Sequence, residues 1–140
     1  TFNEKVDVLL GEKGTAAHLL KELSYLYIDY FLNDSELFRI LMTYMLQPAK
    51  MNLPDKLNAQ IFNAIARSIN VIGRLLQMRV ETEEFSPELN IKKYQNAFWG
   101  LLNGIISLYI FSGSPANRRE KIYSTTNLAL EIFIKGLKKA

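Results

Sequence analysis

Few side chains in this sequence have the type and spacing that chemistry requires. The only histidine, His18, stands four residues before Glu22 on a predicted helix, but a metal site would need further ligands at suitable spacing. The chain has no cysteine, no Gly-x-Ser-x-Gly sequence and no glycine-rich phosphate-binding loop. We therefore predict that the protein is not an enzyme and holds neither metal nor cofactor. His18 is more simply interpreted as a surface residue paired with Glu22.

Aromatic and methionine side chains recur at helical spacing and are the main candidates for binding. Packing alone can account for them, because burial of large apolar side chains is favourable. The alternative is an apolar cavity between helices, with a few polar groups that orient a ligand. Asp29 is the sharpest polar candidate, although an exposed acid is an equally good interpretation. The residues assigned to this pocket are Tyr25, Asp29, Met42, Met45, Phe62, Ile65, Ile69, Phe98 and Asn103.

Composition narrows the class of protein. A chain of 140 residues with 49% hydrophobic residues can form one domain with a substantial core. The net charge of +3 is spread along the chain, so no basic stripe that could follow a phosphate backbone is visible. The longest apolar run, 97–111, is shorter than the roughly 18 to 20 residues of a membrane span, so no membrane association is expected. The lack of cysteine fits a reducing compartment, and we expect the cytoplasm.

Apolar periodicity predicts helices throughout the chain and no strand. The predicted fold is an all-α antiparallel bundle of about five to six helices, in one domain of residues 1–140. The helices are expected at 2–10, 15–32, 36–47, 54–83, from 86 or 90 to 111, and from a capping box at Asn117 and Glu120 onward. Arg118 and Arg119 would stand in the first turn of the last helix, where the helix dipole disfavours cations, so we expect them to have acidic partners.

The last two helices have more apolar surface than one chain can bury. The first of them is apolar around nearly its whole circumference, which is typical of a buried helix. Gly100 and Gly104 stand one turn apart, and each costs roughly 1 kcal/mol against alanine in a helix interior. We therefore expect a second helix to approach this stripe closely, with one face of the helix toward a partner subunit and the other toward the pocket.

The order of these segments resembles a known family. The sequence 36–42 (ELFRILM), a long helix, the sequence 97–106 (AFWGLLNGII) and a final amphipathic helix are similar to the C-terminal regulatory domain of TetR-family transcriptional repressors. The resemblance implies a homodimer in which the last two helices of each subunit form a four-helix bundle. The interface residues assigned on this basis are Trp99, Gly100, Gly104, Ser107, Ile122, Ala129 and Phe133.

The resemblance also implies a function. Residues 1–10 would be the remnant of a helix that links the sensor to a DNA-binding domain. The helices before the last two would enclose a small hydrophobic or aromatic effector. DNA would be bound only by an N-terminal helix-turn-helix that is not in this sequence. Since the sequence begins at Thr1, it looks like a fragment or a processed product. A helical carrier of lipids or other hydrophobic molecules, which needs the pocket but no DNA, is the alternative.

Overall fold

All the regular secondary structure of residues 2–140 is helical, which confirms the predicted all-α class. The computed structural model describes residues 2–140, except for the side chains of Pro48 and Lys50, so Thr1 of the predicted linking-helix remnant lies outside the described residues. Its helices are α1 (Phe2–Leu10), α2 (Ala16–Leu32), α3 (Ser35–Leu46), α4 (Asp55–Glu81), α5 (Ile91–Tyr109) and α6 (Pro115–Lys139). A short 3-10 helix, Pro48–Met51, follows α3.

Side-chain caps set the beginnings of four helices. Thr15, Asp34 and Asn90 each accept a hydrogen bond from the backbone N–H three residues later, at the starts of α2, α3 and α5. The start predicted for the last helix is wrong. Ser114 caps α6 by accepting from the backbone N–H of Asn117, and Pro115 is the first helical residue. Proline fits there because the first N–H of a helix has no partner within the helix.

Helix α2 lies at the centre of the bundle and packs against α1, α3, α4 and α6. Helix α5 packs between α4 and α6, and α5 and α6 run antiparallel. The ring of Phe133, near the end of α6, contacts Phe98 near the start of α5, and the Lys121 ammonium near the start of α6 lies over the Tyr109 ring at the end of α5. Apolar side chains from all six α-helices form one continuous core.

The Gln95 side chain of α5 occupies the space above Gly73 of α4. A β-carbon at this position would collide with Oε1 of Gln95 on α5 and lie 3.2 Å from its Cδ. At Gly100 and Gly104, by contrast, a β-carbon would meet no described atom within 4 Å. The expected close approach at those two glycines is therefore not made within a single chain.

The connection between α4 and α5 holds the beginning of α2. Both carboxylate oxygens of Glu84 accept from the backbone N–H of Ala16, at 3.1 and 3.0 Å. A carboxylate at this place also interacts favourably with the positive end of the α2 dipole. The two segments are thereby joined across 68 positions of sequence.

Candidate ligand cavity and outer helical face

A small, mostly apolar cavity lies between α1, α2, α4 and α5. Its volume is about 20 Å³, enough for about one water molecule. Phe2 and Val6 of α1 form one wall, and the other walls come from α2, α4 and α5. Those walls include Leu23 and Tyr27 of α2, Ser68 and Ile72 of α4, and Phe98 and Trp99 of α5.

A buried chain of hydrogen bonds fixes one end of this cavity. The side-chain N–H of Asn103 donates to the backbone oxygen of Trp99 at 2.8 Å, which leaves Oδ1 of Asn103 to accept from the Tyr27 hydroxyl at 2.6 Å. Tyr27 and Asn103 are 7% and 5% exposed. Burial raises the pKa of Tyr27 well above its usual value of 10, so its hydroxyl stays protonated at physiological pH.

The indole N–H of Trp99 lies beside this chain of hydrogen bonds. Its Nε1 is buried and makes no hydrogen bond of normal length and angle with any described atom. It lies near enough to the Tyr27 oxygen to oppose, with Asn103, the rise of the tyrosine pKa that burial causes.

The structure brings two of the predicted pocket residues to this cavity. Phe98 forms part of its wall, and Asn103 lies behind Tyr27. Ile65 is buried and Ile69 half-buried on α4, but neither is among the lining residues. The rest lie elsewhere: Met42 half-buried on α3, Met45 and Phe62 exposed, and Tyr25 and Asp29 between α2 and α6.

The seam between α2 and α6 is polar rather than a ligand pocket. Asp29, with 44% of its side chain exposed, accepts from the Tyr123 hydroxyl and lies 3.1 Å from the Arg119 guanidinium. The Tyr25 hydroxyl donates to Oδ1 of Asn127 at 2.5 Å. Partial burial, and then the Asp29 carboxylate, raise the pKa of Tyr123. Asp29 therefore ties two helices together, outside the cavity.

The two first-turn arginines of α6 have different partners. Arg119 pairs with Asp29, as expected. For Arg118 the expectation of an acidic partner is wrong, because its guanidinium donates to the backbone oxygens of Ile110 and Gly113, at 3.1 and 3.3 Å. The Ile110 oxygen lies at the C-cap of α5, where the helix dipole favours a cation, and the Gly113 oxygen belongs to the loop that follows.

An apolar face is exposed on the outside of the α5/α6 pair. On α5 it contains Leu101, which is 39% exposed, and Leu108, which is 67% exposed, with Gly100 and Gly104 between and beside them. On α6 it contains Leu128 and Ile132, 60% and 64% exposed. We call these six residues the outer face.

Helical spacing places both halves of the outer face on one side of the pair. Leu101 is seven residues after Tyr94, whose ring contacts Phe133 of α6, so Leu101 lies on the edge of α5 nearest α6. Leu128 is seven residues after Lys121, which lies over Tyr109 of α5. The exposed leucines of the two helices therefore border the same groove.

The predicted interface residues divide between this face and the interior. Gly100 and Gly104 belong to the outer face, and Ser107 is exposed beside it. Ile122 has no exposed surface, so it cannot contact a partner in this conformation, and Trp99 lines the cavity. Ala129 and Phe133 are half-buried against the chain's own core. The four large residues Leu101, Leu108, Leu128 and Ile132 were missed, although their spacings of seven and four could have identified them.

Two further features, a metal-binding cluster and a membrane-spanning helix, are absent from residues 2–140. These residues contain no group of three or more histidine, cysteine, aspartate or glutamate residues arranged to hold a metal ion. No helix among them combines the length and hydropathy needed to cross a bilayer. Comparisons with protein-family models, with curated proteins and with solved structures find no match to this chain.

Proposed function

We propose that the chain is the ligand-sensing and dimerisation domain of a TetR-type transcriptional regulator. The observation that carries the proposal is the outer face, where two glycines with open space above them stand among exposed leucines. Glycine is unfavourable inside a helix, and an exposed apolar strip is unfavourable in water. Both features are accounted for when a second copy of the α5/α6 pair packs on this face, since glycines let helices approach closely.

The exposed surface is large enough for a dimer. Burying the remaining surface of one such leucine or isoleucine contributes about 1 kcal/mol, and a two-fold interface contains eight of them. The resulting gain of about 8 kcal/mol is offset by at least about 4 kcal/mol for the loss of translational and rotational freedom, so about 4 kcal/mol remains from these eight side chains alone. We therefore expect a dimer with a dissociation constant in the millimolar range or below.

The cavity supplies the sensing part of the proposal. Helix α1 covers it through Phe2 and Val6, and Phe2 also contacts the rings of Tyr27 and Tyr30. In the proposed regulator α1 continues toward the DNA-binding domain, so an effector that enters beneath α1 changes the position of that domain. Couplings between sites of this kind are typically about 1 to 3 kcal/mol.

Replacing Gly104 by leucine tests the interface. The added side chain has open space within its own chain and removes a helix-interior glycine, so the protomer should be stabilised by roughly 1 kcal/mol. In the dimer the same side chain overpacks the contact in both subunits, at about 1 to 3 kcal/mol each, which weakens association at least about 30-fold. Asn70→Leu, an exposed position on α4, is the matched control and should leave association unchanged.

Sedimentation velocity across a protein concentration series is the measurement. We expect the wild type and Asn70→Leu to form dimers of equal affinity. Gly104→Leu should be a monomer, and its unfolding midpoint should be at least as high as that of the wild-type monomer. A wild-type protein that stays monomeric at about 5 mM would contradict the dimer, because that concentration is above the expected dissociation constant. It would favour the carrier of hydrophobic molecules, which needs only the cavity.

A further inference from the structure

Phe62 of α4 is a large aromatic side chain that the packing of its own chain leaves uncovered. It is 63% exposed, whereas Ile65, three residues later on the same helix, is 7% exposed. A single exposed apolar side chain is common on a protein surface, but one that extends a larger apolar patch marks a contact with another molecule. The position of Phe62 relative to the outer face therefore decides its meaning.

Helices α4 and α5 run antiparallel. A β-carbon on Gly73 of α4 would meet Gln95 and lie 3.8 Å from Ile91, near the start of α5. Further back along α4 and further forward along α5, Ser68 and Leu102 line the same cavity. Positions earlier in α4 thus lie beside positions later in α5.

Helical spacing then places Phe62 at the level of Gly104. Phe62 stands eleven residues, or about three turns, before Gly73, so both lie on the side of α4 that faces α5. Three turns forward along α5 from Ile91 and Gln95 is the turn that contains Gly104. A β-carbon on Gly104 would meet no described atom within 4 Å. The Phe62 ring therefore borders open space on α5.

A channel runs along the outside of α5 at this place. Gly100 and Gly104 form its floor, with open space above them. Because α5 packs between α4 and α6, Phe62 stands on one side of the floor and Leu101 and Leu108 stand on the other. We call these five residues the glycine channel, which is apolar on both sides and open to solvent.

The side chains that fit the glycine channel are those of the outer face of α6. Leu128 and Ile132 are 60% and 64% exposed and stand one turn apart, as Gly100 and Gly104 do. A row of side chains four residues apart packs well into a groove of the same inclination on another helix. In a two-fold dimer each copy supplies the same row and the same groove, so the contact is self-complementary.

We infer, on the basis of the proposed dimer, that α4 belongs to the interface and that Phe62 covers α6 of the second copy. The partner's Leu128 and the partner's Ile132 lie in the glycine channel, between Phe62 and the exposed leucines of α5. The interface is thus formed by three helices of each subunit, α4, α5 and α6, rather than by the last two alone.

The area available for burial supports this arrangement. The eight leucine and isoleucine side chains of two outer faces alone correspond to a dissociation constant in the millimolar range, which is too weak for a dimer at micromolar protein concentrations. Burying the exposed part of one Phe62 ring adds a factor of about ten. Two rings together therefore bring the dissociation constant to about 10 μM.

Phe62→Ala tests the contribution of the ring. We expect it to weaken dimerisation about 100-fold in sedimentation velocity, because the ring is lost from both subunits. Val8→Ala is the matched control, since Val8 of α1 is also apolar and is 68% exposed, and it should leave association unchanged. Both side chains lie at the surface, so both variants should fold, which circular dichroism checks.

Cysteine cross-linking tests the position of the ring, because the chain has no cysteine of its own. Phe62→Cys is mixed with Leu128→Cys or with Ile132→Cys, and one chain of each pair carries a tag that changes its mass. A short bis-maleimide should then join the two different chains, which excludes links within one chain. Asn63→Cys, an exposed neighbour turned by about 100 degrees around α4, is the control and should be joined several-fold less.

The outcomes separate the glycine channel from the dimer itself. A 100-fold loss of affinity in Phe62→Ala, with preferential linking of Phe62→Cys, supports the inference. A wild-type dimer whose affinity survives in Phe62→Ala, or in which Phe62→Cys links no better than Asn63→Cys, overturns the inference and leaves the dimer on the outer face. A wild type that stays monomeric overturns the inference together with the proposed dimer.

Discussion

The buried pair of Tyr27 and Asn103 gives the sharpest quantitative prediction. Tyr27→Phe leaves Oδ1 of Asn103 without its donor at a position that is 5% exposed, and we expect a loss of about 1 to 3 kcal/mol in the free energy of unfolding. Asn103→Leu leaves the Tyr27 hydroxyl without its acceptor and should lose a similar amount. In the double variant both polar groups are gone, and apolar groups of similar shape face each other.

The double variant should therefore be more stable than the sum of the single losses implies. We expect a total loss of no more than about 1.5 kcal/mol, so the coupling between the two positions is about 1 to 3 kcal/mol. Asn96→Leu, at an exposed position of the same helix, corrects for the better helix propensity of leucine over asparagine.

Urea unfolding followed by circular dichroism measures these differences. All variants must be compared at one protein concentration, since the contribution of dimerisation to apparent stability rises with the logarithm of concentration. Losses that add to within about 0.5 kcal/mol would refute the reasoning, because additivity means that the two side chains do not depend on each other.

Three further predictions concern single contacts. Glu84→Gln should lower the free energy of unfolding by about 1 kcal/mol, because it removes the negative charge at the start of α2. Glu88→Gln, in the same connection, is the control and should change it by no more than about 0.3 kcal/mol. Equal losses of the two variants in urea unfolding would contradict the capping of α2 by Glu84. Gly73→Ala brings a β-carbon against the terminal amide of Gln95, which can rotate away, while alanine improves helix propensity by roughly 1 kcal/mol. We therefore expect the free energy of unfolding to change by less than about 1 kcal/mol, and a larger loss in a thermal scan would show that the Gln95 amide is held in place. The pKa of Tyr27 is raised in the folded protein, so its contribution to stability is fully present below pH 10 and is lost as pH rises further, by up to about 1.4 kcal/mol per pH unit. Urea unfolding at several pH values should therefore show a shallower loss of stability above pH 10 for Tyr27→Phe than for the wild type. An equal loss in both proteins would assign the effect to other groups.

Helix positions were predictable because their signals are local. Apolar spacing and caps such as Asp34 and Asn90 lie within one turn of the helix starts that they determine. The start of α6 was misread where two local signals compete. The Ser114-Pro115 pair and the Asn117-to-Glu120 pair both resemble helix starts, and the earlier one forms the cap.

The cavity was not predictable in the same way, because it depends on which faces of four helices meet. Periodicity places Phe62 and Phe98 alike on apolar faces, yet Phe62 is 63% exposed on the protruding start of α4 and Phe98 is 2% exposed against the cavity. Similarly, the sequence marks Gly73 and Gly100 alike as helix-interior glycines. Only the packing of α4 against α5 shows that the Gln95 side chain fills the space above Gly73, whereas the space above Gly100 is open.

The anchoring of α2 by Glu84 has a mechanical consequence for α1. Residues 11–15 connect α1 to α2 and end directly before Ala16, whose backbone N–H is bound by Glu84. A helix of nine residues is roughly 13 Å long. The carboxyl end of α1 stays close to the start of α2, which Glu84 holds from more than sixty positions away, so the amino end of α1 moves most when the helix rotates. A rotation of α1 by roughly ten degrees about its carboxyl end therefore carries Phe2 through about 2 Å.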